Sequence, residues 1–480
     1  MSRGAERLVW AAFFLAQLAP VWALPYFPTQ DGPSHLENSN ILLLLLRGGA
    51  PAFSQYFSIN TAPTPNWLGH AALAGLMLLA GPLIAEKLLL TVYIVALPLA
   101  VRYAFRAARP EAGPLAVLSF PFLYNCLLHY GFYNFCLSIA LFFVALGYRR
   151  GRKGDSGWKE TAALAAILAV LYGCHVVSWA LALLAMVILR PRQAVPLALA
   201  AAPSAGMAIW FFAGRHGGSA GPAVPLAARW SGLWHFSTAV SSYGAPDQWI
   251  GTAFALFLLC AAIVCAAKGP ALFSALLLIF YFAIPPQAFG GMFLLERLNL
   301  YFFLSLLPWI AERDWSRGAR RILVAGAALF CLALLALNMP WYLEANRLIA
   351  EFLSGAGHVR TGSVFVPLIY EARGPGPMRR LYGEPLRHTS GYLAVLRGAV
   401  NLDNYEAQTD LFPVKFRPDH NPGVLVGAME ESPPRVHLDP SRIDYVVVWD
   451  PARLAPPPAL EFKPVFESAS GALRIFESHR

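Results

Sequence analysis

The sequence predicts a polytopic α-helical membrane protein of about eleven spans, followed by a C-terminal extracytoplasmic domain of α/β or α+β type. Three observations carry this. Of the 480 residues, 57% are hydrophobic and 13% charged, more apolar surface than a water-soluble fold can hide. Apolar runs of roughly 17–25 residues, the length that crosses a ~30 Å hydrocarbon layer, recur from Leu8 to Asn338 and then stop. Beyond them the chain turns to short strand-like runs separated by Pro/Gly stretches.

The first run, 8–24, follows Arg3 and Arg7 and carries only a marginal cleavage site, so it reads as an uncleaved first helix. Further helices are predicted over 83–104, 115–128, 132–148, 161–172, 176–189, 194–213, 250–267, 271–284, 298–311 and 322–337. With the N-terminus in the cytoplasm, the basic residues alternate as the positive-inside rule demands. Arg102, Arg106, Arg109, Arg149, Arg150, Arg190, Arg192, Arg313 and Arg317 fall on one side, and little beyond Arg47, Arg215, Arg229 and Arg297 on the other. The stretch 66–79 is apolar enough to span, yet counting it would invert every later loop. It is therefore read as a helix in the outer interface with Asn66 as its N-cap. An odd number of spans places the tail outside an inner (plasma) membrane. Strands are predicted over 363–370, 445–449 and 473–476, and a helix from 340 to 353. The domains are thus 1–338, a membrane bundle with a first outer loop at 25–82, and 339–480.

The formal net charge of +10 suggests a polyanion partner until it is divided along the chain. Through Met339 there are 22 Lys/Arg against 11 Asp/Glu, and from Pro340 onward 15 against 16. The excess belongs to the membrane part, which argues for topology and against nucleic acid. All six cysteines lie in or beside predicted helices, with no disulfide framework and no zinc-type spacing. Gly217 to Gly221 matches the letters of a serine nucleophile elbow but lacks the strand and helix that motif needs, and reads as a loop.

Polar residues of the membrane part gather on the outer side. The densest run is Gln30 to Asn40 in the first outer loop. Asp31 follows the first helix, Gly32-Pro33 turns the chain, and a helix over 34–47 puts His35 and Asn38 on one face, with Glu37 beside them. Asp31 either caps that helix or serves as a general base. Asp31 and His35 are the candidate catalytic residues. Candidate substrate-binding residues are Glu37, Asn38, His129, Tyr133, Asn134, His175, Glu296 and Arg297. Glu296-Arg297 borders an apolar run, where an ionised side chain costs about 2.5–3.5 kcal/mol and pairs or binds a ligand. A mutual ion pair and a bidentate grip on phosphate both fit.

An N-terminal helix, an acid just after it in the first outer loop, an interfacial helix, a bundle of spans and a C-terminal extracytoplasmic domain together resemble the GT-C superfamily of membrane glycosyltransferases, which includes protein mannosyltransferases and aminoarabinose transferases. The resemblance implies a polyprenyl-phosphate-linked sugar as donor, a lipid, glycan or protein acceptor, and contact with membrane lipids. It implies that Asp31, in Gln30-Asp-Gly-Pro-Ser-His35, is the catalytic base, and it offers Arg297 as a ligand to the donor phosphate. Many members carry a further acid in the next outer loop, where this chain has His129-Tyr-Gly-Phe-Tyr-Asn134. A divalent metal cofactor is thereby left open. Two rival readings are a transporter or flippase of a lipid-linked glycan and a non-catalytic envelope protein of the same fold. Polar groups at one face and the lack of an internal repeat favour an enzyme.

Overall fold

A computed structural model describes residues 3–48, 50–151, 157–214, 222–235, 245–265, 268–288, 291–422, 442–453 and 461–479. The nucleophile-elbow letters at Gly217–Gly221 lie outside the described residues. The chain divides into two compact units. The first takes Met1–Pro20, Leu90–Leu128 and Asn134–Met339, and the second takes Val21–Leu89, His129–Tyr133 and Pro340–Arg480.

The first unit is helical. Four helices among the described residues are long and apolar enough to cross a membrane, within Pro82–Ala108, Pro191–Ala213, Leu294–Ala311 and Arg317–His358. Helices of the unit are tied by hydroxyl pairs, Ser138 with Ser178 at 2.5 Å and Ser274 with Ser305 at 2.6 Å. Small polar side chains in such places let apolar helices approach closely. Large apolar residues such as Leu199, Trp210, Ile263 and Leu329 stay exposed on the outer helix faces, as in a protein solvated by lipid.

Three expectations are corrected. The span expected over 115–128 is a 3-10 helix, Pro110–Phe122, and a short α-helix, Cys126–His129. Pro114 and Pro121 each remove an N–H and crowd the preceding turn, which disfavours i→i−4 bonding and leaves the tighter i→i+3 pattern. The break expected at Pro340 is absent, and one helix runs from Arg317 to Leu353 through that proline. Asn66 is not an N-cap. The helix is Leu68–Met77, its N-cap is Trp67, and the Asn66 amide instead donates to the Leu411 carbonyl at 3.4 Å. Ten residues rise only about 15 Å, half a bilayer core, so this helix does not cross.

The second unit combines helices with two sheets. Its strands are β1 (Phe57–Ile59), β2 (Val364–Ile369), β3 (Val400–Asn401), β4 (Val414–Phe416), β5 (Tyr445–Trp449), β6 (Phe462–Glu467) and β7 (Leu473–Ser478). Five of them form a sheet in the order β3-β2-β5-β7-β6, with β2 parallel to β3 and β5, and β7 antiparallel to β5 and β6. Strand β5 reads Tyr-Val-Val-Val-Trp and is buried throughout, as a central strand covered on both faces should be. The antiparallel pair β1-β4 stitches residues 57–59 to residues 414–416. One apolar core takes Ile41 and Leu42 from the Gly32–Arg47 helix, Phe57 from β1, and Val366, Val400 and Val446 from the sheet.

Candidate functional site

Asp31 is set by backbone before any side chain matters. The N–H groups of Gln30 and Asp31 donate to the carbonyls of His129 and Tyr130, both at 3.0 Å. Gly131 then turns away with φ +87°, and a Cβ there would lie 2.5–2.9 Å from the backbone of Asp31 and Gly32. Gly32 is equally confined: its missing Cβ would meet the Thr29 and Tyr133 hydroxyl oxygens at 2.1 and 2.3 Å. A Gly131→Ala change therefore combines a disfavoured φ with a backbone clash, and costs about 1–3 kcal/mol. Thermal unfolding of detergent-solubilised protein checks this, against Gly173→Ala as a control with open space at its Cβ.

The Gly32–Arg47 helix starts here, with Pro33 in its first turn and Asp31 at the N-cap position. The Asp31 side chain makes no capping hydrogen bond. That separates the two readings of its role, because a carboxylate spent on capping would face N–H groups of the helix. Instead Gln30 Nε2 donates to Oδ1 at 3.1 Å, the Tyr405 hydroxyl bonds to the carboxylate, and His388 Nε2 stands 3.7 Å from Oδ1. Burial pushes the Asp31 carboxyl up to about 6, against the pull of His35 and the bonds from Tyr405 and Gln30. His388 is driven down to about 3 by burial and by neighbouring Arg387, so it is a neutral imidazole at physiological pH. Its ring packs tilted against that of Tyr405, with centroids 4.6 Å apart.

One helical turn on, His35 and Asn38 converge on Glu406 from the tail. His35 Nδ1 lies 2.8 Å from Glu406 Oε1, and Asn38 Nδ2 donates to Oε2 at 2.7 Å. His70, from the Leu68–Met77 helix, brings Nε2 within 2.8 Å of the same Oε2. All of these side chains are buried. Burial alone would raise the Glu406 carboxyl, but the two imidazoles hold it well below the carboxylate range. For His35 the order is reversed: burial would lower it, and the Glu406 charge outweighs that and holds it above its ordinary value. Glu37, on the next face, accepts from Asn401 Nδ2 at 3.0 Å, and burial pushes its carboxyl well up.

Tyr133 and His129 also belong to the second unit. Tyr133 donates to Glu86 Oε1 at 2.7 Å, Tyr392 donates to Oε2 at 2.9 Å, and Thr29 Oγ1 is 3.0 Å from the Tyr133 hydroxyl. The Tyr133 ring lies 5.4 Å from that of His35. His129 Nε2 is 2.6 Å from the Tyr342 hydroxyl, and its ring packs edge-on against Trp341.

The remaining sequence candidates sit in the first unit, where His175 and Arg297 have local work. His175 caps the Val176–Leu189 helix, Nδ1 accepting from Val177 N at 3.2 Å. Arg297 is buried, donates to the Met292 carbonyl and lies 5.4 Å over the Phe135 ring. Glu296 is half-buried and Asn134 buried. The candidate site is accordingly drawn from the second unit alone.

Sequence reading missed His70, His388, Tyr392, Asn401, Tyr405 and Glu406 as site residues. The signal for three of them was the polar run Asn401-Leu-Asp-Asn-Tyr-Glu406, as dense as the one around Asp31.

No family model and no curated protein matches the sequence. The fold resembles the crystal structure of ArnT from Cupriavidus metallidurans bound to undecaprenyl phosphate, with TM-score 0.54, 10% identity, and 99% of this chain and 98% of that chain covered. A second likeness is the cryo-EM structure of the arabinofuranosyltransferase AftD from Mycobacteria, with TM-score 0.47 and 15% identity. It covers 100% of this chain but 40% of that one, and is too loose to carry an argument. The likeness to ArnT is one of fold, over nearly the whole of both chains.

Proposed function

We propose that this chain is a multi-pass membrane glycosyltransferase that moves a sugar from a polyprenyl-phosphate donor to an acceptor hydroxyl, with Asp31 as general base. The observation that carries the reading is Asp31 itself. It is a carboxylate at a helix start that does no capping, held by Gly131 and the 129–130 carbonyls, with a conjugate acid near pH 6. A base with that affinity is ionised at neutral pH yet takes a proton readily in a transition state. The ArnT-like fold supports the membrane setting and the lipid-linked donor.

In this reading about eleven segments span an inner (plasma) membrane, the N-terminus is cytoplasmic, and residues 25–82 and 339–480 lie outside. The acceptor O–H loses its proton to Asp31 as its oxygen attacks the anomeric carbon. The bond from that carbon to the phosphate oxygen breaks, and polyprenyl phosphate leaves with the electron pair. A single displacement inverts the anomeric centre. Gln30 and Tyr405 orient the base, and the neutral His388 beside it lowers no barrier by charge but fills its flank against water. His35, Glu37 and Asn38 follow Asp31 on its helix, and the 129–133 segment that carries His129 and Tyr133 flanks its start.

The pH dependence tests the base directly. Only ionised Asp31 accepts a proton, so kcat/KM falls about tenfold per pH unit below about pH 6 and levels above it. A purified, folded preparation assayed against a panel of polyprenyl-phosphate sugars provides the measurement. A profile that stays flat from pH 7 to well below 5 overturns the role of Asp31.

A further inference from the structure

We infer that His35, His70 and Glu406 form a metal site for a first-row divalent ion, zinc first by donor set. The inference does not depend on the sugar-transfer reading. Its basis is where the protons must lie.

His70 Nδ1 is 3.1 Å from the Asn66 backbone carbonyl, which only accepts, so that nitrogen carries the ring proton. The other nitrogen of a neutral His70, Nε2, then presents a lone pair. That lone pair faces Glu406 Oε2 at 2.8 Å and His35 Nδ1 at 3.0 Å. His35 Nδ1 has a single in-plane direction, aimed at His70, so Glu406 Oε1 at 2.8 Å receives no hydrogen bond from it. Two imidazole nitrogens and a buried carboxylate thus converge, and either a further proton or a cation has to stand among them.

A metal ion satisfies this arrangement. Tetrahedral ligands about 2.0–2.1 Å from a zinc-like ion lie about 3.3 Å apart, a few tenths of an ångström more than the 2.8–3.0 Å between these atoms, an opening that small side-chain rotations supply. Two imidazoles and one carboxylate are a zinc-type donor set that leaves a further position open, and the nitrogen ligands disfavour calcium and magnesium. The Nδ1–H of His70 donating to a backbone carbonyl is the outer bond that fixes the tautomer and orientation of a metal-bound histidine. Asn38 Nδ2 on Glu406 Oε2 at 2.7 Å does the same for the carboxylate. His35 Nε2 has no hydrogen-bond partner among the described residues, so the outer bond is made by His70 and Asn38 and not by His35. The three ligands come from the Gly32–Arg47 helix, the Leu68–Met77 helix and the tail. An ion here staples the first outer loop to a segment more than 300 residues away.

The test uses the full-length chain, purified without a histidine tag, and measures bound metal by elemental mass spectrometry and thermal unfolding before and after chelation. We expect about one zinc per chain, a fall in the unfolding midpoint on chelation, and its recovery on adding zinc back. His70→Gln and Glu406→Gln should bind zinc at least ~100-fold more weakly, with His358→Ala, an exposed histidine, unchanged. X-ray absorption of the zinc-loaded protein should show two imidazole nitrogens. Wild-type stoichiometry and absorption stand even where a variant fails to fold. Metal far below one per chain together with an unfolding midpoint indifferent to chelation overturns the site and leaves a His–Glu–His proton network. Undiminished zinc in both ligand variants overturns it as well.

Discussion

Asp31→Asn will lower sugar transfer by about 10²–10⁴-fold while leaving the fold intact, the range over which a positioned general base accelerates a reaction. The isosteric amide keeps the backbone bonds to the His129 and Tyr130 carbonyls, which involve only N–H groups of the chain. What it loses is the proton acceptor. Because burial raises the Asp31 carboxyl, its ionisation opposes folding at neutral pH, so the variant should unfold at an equal or higher temperature. Loss of turnover with retained stability separates a catalytic role from a structural one. Donor binding, measured by the quenching of tryptophan fluorescence with a polyprenyl-phosphate sugar, should persist in the variant.

Glu406→Ala will destabilise the protein by about 3–5 kcal/mol, the largest stability effect among the site residues. Glu406 is fully buried and is approached by His35, His70 and Asn38 at 2.7–2.8 Å. Removing it leaves two buried imidazoles and an amide without the carboxylate they share, whether a proton or a metal ion stands among them. A surface pair such as Arg347 with Glu344 offers the contrast: exposed and at 2.7 Å, it should cost no more than about 1 kcal/mol when broken. Denaturant unfolding in detergent, comparing Glu406→Ala with Glu344→Ala, reads the difference.

The helices were legible because a bilayer demands long apolar runs, and most of those runs are helices with ends shifted by a few residues. The exceptions turn on proline. In Pro110–Phe122 three prolines convert an apolar run into a 3-10 helix, whereas Pro340 sits within a continuous helix. Hydropathy does not register that distinction, since it depends on where the missing N–H falls. Of the strands, β5 was legible from its unbroken β-branched and aromatic run, but β3 and β4 are two and three residues long and exist only through their partners.

The site divides the same way. Asp31, His35 and Asn38 were legible because they share one short helix start, where spacing dictates a common face. Their partners were not, because Glu406 joins Asn38 across 368 residues of sequence and no periodicity reports such a meeting. His70 lies in an apolar stretch with no polar neighbour to mark it, and only the structure sets its ring beside that of His35 at 4.8 Å. Arg297 and His175 drew attention as polar groups near apolar runs, and the structure gives each a local duty at a helix start.

The central claim is a direct displacement at a polyprenyl-phosphate sugar assisted by a carboxylate base. It is tested most directly by supplying purified chain with donors of known anomeric configuration and determining the configuration of the transferred sugar by NMR. The account predicts transfer with inversion and release of polyprenyl phosphate in equal amount. Transfer with retention, or no cleavage of any donor by a cooperatively unfolding preparation, would contradict it.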